Sequence, residues 1–276
     1  MNNYQLKAFN KISFCRHFEN YVYKKIEDKT IKIPVYLSAG QESTPCSIST
    51  YCKELAIEPN IFIQHRGHST YLAFDAPPEK LVDELLGLES GCSFGMGGSA
   101  SIQSLEKNIY GHDGLMGSQV PIAVGHSYQT KYPTIVFMGD ASAEEDYVGA
   151  AIGWASTKNL PILFIVEDNN LSILTEKKVR RNWHVHELAQ AYKVEAYDIG
   201  DDPAEISNHL INVFKKPLLL NIRTIRKYWH SGAGIDGDYF DRYEWLKKTL
   251  PFDTTEIDEI NKNKVEALWQ SRLEKL

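Results

Sequence analysis

Between residues 134 and 222 the chain alternates short, wholly apolar runs with longer amphipathic ones. Thr134-Ile-Val-Phe-Met138 and Ile162-Leu-Phe-Ile-Val166 are too short for ordinary helices and lack the polar alternation of a half-exposed strand, so they predict buried strands. From about Glu144 to Thr157 the apolar residues recur at helical spacing, which makes the segment a βαβ unit with parallel strands and a right-handed crossover. Pro217-Leu-Leu-Leu-Asn-Ile222 adds another strand of the same kind. The fold class is α/β: a central, mostly parallel sheet with helices on both faces. Upstream, Phe9, Ile12, Phe14, Phe18, Tyr21, Val22 and Ile26 predict an amphipathic helix from about Leu6 to Asp28, and the tail from Asp253 to Leu276 is charged and helical in character. With no internal repeat and no low-complexity linker, residues 1–276 read as one domain. It carries an N-terminal helical extension over 1–35 and a C-terminal helical tail over 240–276.

Composition narrows the class. The chain has 276 residues, 43% of them hydrophobic, enough for a substantial core. Its net charge of -6 and pI near 5.9, with 30 scattered basic residues, leave no electrostatic footprint for nucleic acid or an anionic membrane. Cys15, Cys46, Cys52 and Cys92 have neither CxxC spacing nor a dense framework, so they read as reduced thiols. The polar start MNNYQLKAFNKISF is unlike a signal peptide, and no apolar run approaches a membrane span. A cytoplasmic protein is expected.

In open parallel sheets, ligands sit beyond the carboxyl ends of the strands, so the chemistry should follow Met138, Val166 and Ile222. Gly139-Asp140-Ala141-Ser142 follows the first strand, and Glu167-Asp168-Asn169-Asn170-Leu171 follows the second. Adjacent parallel strands bring Asp140 and Asn169 together, offering a carboxylate and an amide oxygen to magnesium, which prefers oxygen ligands and phosphate partners. Gly139 permits a sharp turn, and the N–H groups of Ala141 and Ser142 open the next helix toward an anion, with diphosphate the natural occupant. The plainer reading makes these residues turn formers and helix caps.

Together the two turns resemble the signature of thiamine-diphosphate enzymes. Five further blocks resemble the alpha subunits of pyruvate, branched-chain 2-oxo acid and acetoin dehydrogenases: Leu37-Ser-Ala-Gly-Gln-Glu-Ser43, His65-Arg66-Gly67-His68, Gly95-Met-Gly-Gly-Ser99, Gly117-Ser-Gln-Val-Pro121 and Thr224-Ile-Arg-Lys-Tyr-Trp-His-Ser231. The likeness implies a diphosphate-binding domain in which Arg66 binds the diphosphate with His65 beside it, while Gly114 and Met116 touch the aminopyrimidine. Gly139, Asp140, Ala141 and Ser142 would form the diphosphate turn. Asp140, Asn169 and the Leu171 carbonyl would ligate magnesium, Asn169 rather than Asn170 because the match runs without a gap to Thr175. His230, at the head of a loop rich in Gly, Ser and Asp (Ser231 to Asp238), would act at the reactive centre as a group titrating near neutrality. His68 is the second catalytic candidate, with a structural role as its other reading.

The resemblance further implies decarboxylation of a 2-oxo acid with acyl transfer, and a beta subunit that supplies the activating glutamate, in a heterotetramer of two alpha and two beta chains. A lipoyl acyltransferase or another acyl acceptor would take the acyl group. Ala141 replaces the third residue of the family's GDG turn, and EDNNLSI leans toward transketolase-like relatives. A two-subunit acyl or ketol transferase without a lipoyl partner is therefore one alternative. A non-catalytic magnesium- and phosphate-binding α/β protein is another.

Overall fold

A computed structural model describes residues 2–237 and 239–275; Met1, Asp238 and Leu276, which end the predicted domain span and the predicted loop, lie outside the described residues. Strands β1 (Asn60–Phe62), β2 (Ile109–Tyr110), β3 (Thr134–Gly139), β4 (Ile162–Asp168), β7 (Glu195–Gly200) and β8 (Leu218–Arg223) form one sheet in the order β2-β1-β3-β4-β8-β7. Every pairing in it is parallel. A two-stranded antiparallel hairpin, β5 (Leu171–Ser172) and β6 (Thr175–Glu176), stands apart.

The central strands are apolar without alternation because both faces are covered. Ile135, Phe137, Leu163, Ile165, Leu218 and Leu220 face a core shared with the terminal helices. Their neighbours Val136, Met138, Phe164, Val166 and Leu219 face a second core under helices Gln119–Thr130, Asp146–Thr157 and Val185–Ala191. Full burial of each such side chain is worth about 1.5–3 kcal/mol, which is why these strands anchor the molecule.

The N-terminal helix, Asn2–Glu27, is part of this core. Its Phe9, Ile12, Phe18 and Val22 are fully buried, and Tyr21 stacks on Trp269 of helix Thr255–Leu273 with ring centroids 5.2 Å apart. The four cysteines are free thiols. Among the described residues, no helix is long and apolar enough to cross a membrane.

Strand order reverses at β1. The chain runs from β1 to β2 on one side and then crosses to β3 on the other, opening a crevice at the carboxyl ends of β1 and β3.

Candidate functional site

That crevice holds a cavity of about 380 Å³ whose wall comes from the carboxyl ends of five strands. Gln64, His65 and Arg66 follow β1; His112, Gly114 and Met116 follow β2; Gly139 to Ser142 close β3; Asn169 and Leu171 follow β4; Arg226 and His230 follow β8. A cavity of similar size, about 370 Å³, opens at the amino ends of β1 to β3 beside Cys52, Asp75 and Asn108.

The two turns flagged in the sequence are neighbours, because β3 and β4 pair with Gly139 opposite Glu167. Asp140 is 2% exposed, and burial and the nearby Asp168 raise its pKa against the pull of Arg180 and Arg181. Arg180 ion-pairs with both Asp140 and Glu144. Asn169 accepts the Leu171 N–H on Oδ1 at 3.0 Å and donates through Nδ2 to Gln41 at 3.3 Å. Asn170 takes the left-handed conformation, φ 66°, that lets the chain reverse there.

Opposite these oxygens stand the cations. Arg66 is buried and donates to the carbonyls of Leu37 (2.8 Å) and His230 (3.2 Å), and among the described residues no carboxylate pairs with it. Burial, reinforced by Arg226, pushes its pKa down to about 10, so the guanidinium stays charged at neutral pH. Arg226 differs: its Nε donates to Asp236 at 2.5 Å and its Nη2 to the Ile173 carbonyl at 2.7 Å. Glu167, behind the wall and hydrogen-bonded by Gln64, is pushed up to about 8 by burial.

Three imidazoles share the cavity, with His65 ring centroids 6.0 Å from His112 and 5.8 Å from His230. Burial, then Arg66, hold His65 down at about 3; burial with Arg66 and Arg226 hold His230 at about 4; burial lowers His112. His230 is therefore a neutral imidazole across the physiological range, not the group titrating near neutrality that its loop position suggested. Its loop folds back on itself through Trp229 N–H to the Gly234 carbonyl at 2.9 Å and is tied to the segment before Tyr36 through Gly232 N–H to the Val35 carbonyl at 2.8 Å. Nε2 of His65 and Nδ1 of His112 are buried and have no hydrogen-bond partner among the described residues.

Gly114 and Met116 lie on a turn that Gly117 presses against the start of helix Asp146–Thr157 and the Ser142 turn before it: at φ 83°, an added Cβ would sit 3.0 Å from Val148 and 3.1 Å from the Ser142 carbonyl. Tyr147 fixes the same turn by donating its hydroxyl to the Met116 carbonyl.

The structure does not bring His68 to the cavity. Its ring is fully buried, with Nδ1 2.8 Å from Glu19 and Nε2 2.9 Å from Ser99, and Ser99 in turn receives the Tyr36 N–H at 2.9 Å. Both nitrogens are occupied, so His68 can only act through others, by holding Tyr36, whose ring lies edge-on to His65 and His230. Sequence reasoning missed His112, Arg226, Gln64 and Tyr36 as wall residues. Arg226 and Gln64 sit in or beside blocks already quoted, whereas His112 follows a strand of only two residues.

The family model for the dehydrogenase E1 component matches residues 10–248. The chain belongs to the dehydrogenase E1 component family. It is 27% identical over 250 residues to "pyruvate dehydrogenase E1 component subunit alpha, mitochondrial" of Dictyostelium discoideum, covering 87% of this chain and 65% of that relative. Against the subunit alpha of Rickettsia bellii it is 24% identical over 241 residues, covering 82% and 72%, and against that of Zymomonas mobilis 28% over 213 residues, covering 71% and 58%. The chain thus spans roughly three fifths to seven tenths of the length of these E1 relatives.

Proposed function

We propose that this E1-family chain is the alpha-type subunit of a thiamine-diphosphate-dependent 2-oxo acid dehydrogenase and carries the magnesium and diphosphate half of the active site. The observation that carries the reading is Arg66: a buried guanidinium with no described carboxylate partner, facing the cavity that Asp140 and Asn169 line from adjacent strand ends. A buried, uncompensated cation is costly unless an anion completes it, and Arg suits phosphate oxygens. His65 and His112 line the same cavity.

In this reading Arg66 and His65 hold the diphosphate at the turn Gly139 to Ser142. Asp140, the Asn169 amide oxygen and the Leu171 carbonyl supply oxygens to magnesium, while Gly114 and Met116 support the aminopyrimidine. Thiamine diphosphate supplies the carbanion-stabilising chemistry by which a 2-oxo acid loses carbon dioxide. His230, beside Arg66, would donate or accept a hydrogen bond at the reacting acyl group. His68 positions Tyr36 rather than touching substrate.

A beta-type subunit completes the site and supplies the activating glutamate, in a heterotetramer whose acyl acceptor is a lipoyl domain. Exposed apolar side chains beside cavity residues support a covering partner: Leu115 is 61% exposed, Leu174 78% and Trp229 54%. The test is reductive acylation of a lipoyl domain from pyruvate and branched-chain 2-oxo acids, by the chain alone and with its beta-type partner. Turnover is expected only with the partner, and sustained turnover by the chain alone refutes the half-site reading.

A further inference from the structure

Eleven residues after Asn169, the chain returns to the metal end of the cavity. Hairpin β5–β6 and the helical turn Lys177–Arg180 form a strap across the ends of β3 and β4, with the Lys177 N–H bonded to the Asn170 carbonyl at 2.9 Å. The strap gives each strand-end carboxylate a cation of its own. Lys177 pairs with Asp168, and Arg180 pairs with Asp140 and Glu144, while Arg181 donates to the Asp140 main-chain oxygen at 3.1 Å.

Arg180 is 11% exposed and holds its partners through the two terminal nitrogens; its buried Nε has no partner among the described residues. The guanidinium is therefore seated on Asp140 and Glu144 with one donor unused. The tip of the strap reaches the other side of the cavity, where the Ile173 carbonyl accepts from Arg226, which also binds Asp236 in the His230 loop.

We infer that Arg180 is a resident counter-cation that competes with a divalent metal for Asp140, so that release of the strap sets the metal concentration at which the site fills. This rests on the reading of Asp140 as a metal ligand. A doubly charged ion on Asp140 with Arg180 still seated places two cations on one carboxylate in a place shielded from water, where repulsion is poorly screened. Asn169 and Leu171 stand at the root of the strap, so drawing their oxygens onto a metal moves the segment that holds Arg180. Through Ile173 and Arg226, the same movement reaches the His230 loop.

The experiment titrates magnesium at fixed thiamine diphosphate and reads cofactor binding by calorimetry, on the chain assembled with its beta-type partner. Arg180→Gln should lower the magnesium needed for half-saturation about tenfold, and Glu144→Gln, which loosens the seat of Arg180 without touching Asp140, should lower it less. Arg180→Lys keeps the charge and should remain near wild type. An unchanged magnesium requirement in both neutralising variants overturns the inference, as does a raised requirement with weaker binding at saturating metal, which would make Arg180 a diphosphate ligand instead. Absence of thiamine diphosphate binding by the wild-type complex at any magnesium concentration would overturn the functional reading itself.

Discussion

Asn169 and Asn170 share a side chain and differ in duty. The first turns its amide into the site and closes on the Leu171 N–H, while the second provides the left-handed backbone, φ 66°. Asn169→Ala should weaken magnesium-dependent cofactor binding on the order of 10- to 100-fold, the value of an oxygen directed at a charge. Asn170→Gly, free to adopt the same backbone, should bind as wild type and change stability by less than about 1 kcal/mol. Calorimetry and urea melts check both, and the reverse order of effects would place the metal ligand at Asn170. At this scale the sequence was most legible in placement: the apolar runs before Asp140 and Asn169 put both on adjacent strand ends, where β3 and β4 hold them, whereas Arg66 was legible only through its block. It was least legible where the job depends on partners distant in the chain. His68 lies in a catalytic-looking block, yet Glu19 and Ser99 occupy both its nitrogens, and nothing near Arg180 in sequence announces that it folds back on Asp140.

At the scale of elements, the long apolar strands and the two terminal helices were readable from periodicity. Others were not. Strand β1 has three residues and β2 two, too few to show a period, and the edge strand β7 mixes Glu195, Tyr197 and Asp198 with apolar neighbours because one side of it is partly open. What periodicity also hides is how the terminal helices dock. Arg16 on the N-terminal helix is 1% exposed and pairs with Glu42, beside the Gly40–Gln41 turn, and with Asp241, which caps helix Arg242–Thr249 through the Tyr243 N–H at 3.1 Å. Arg16→Ala leaves Glu42 buried with the Gly40 N–H but without its cation and should cost about 3–5 kcal/mol of stability in denaturant melts. Burial alone would raise the pKa of Asp241, but Arg16 and Lys227 outweigh it and hold the carboxyl down at about 2, from 3.8. A depressed carboxyl stabilises the fold above its unfolded pKa and loses that contribution as pH falls through the folded one. Asp241→Asn should therefore be less stable than wild type by about 1–2 kcal/mol at neutral pH. The difference should close as the pH drops from about 4 toward 2; a gap that persists at pH 2 would mean the asparagine disturbs the cap rather than the charge pair.

On the scale of the whole molecule, five strands of one sheet deliver their carboxyl ends to a single cavity, and the chain supplies cations, oxygens and neutral imidazoles there but leaves apolar side chains uncovered at its rim. The half-site proposal accounts for that composition: a diphosphate and its metal would sit among the cations and oxygens, and a partner would cover the apolar rim. The measurement that bears most directly on this account is a calorimetric titration of the chain, assembled with its beta-type partner, with thiamine diphosphate in the presence and absence of magnesium, for the wild type and Asp140→Asn. Saturable binding that requires magnesium and is lost in the variant is the expected result. Binding that survives without magnesium, or is undiminished by Asp140→Asn, would contradict the assignment of Asp140 and the strand ends around it as the diphosphate site.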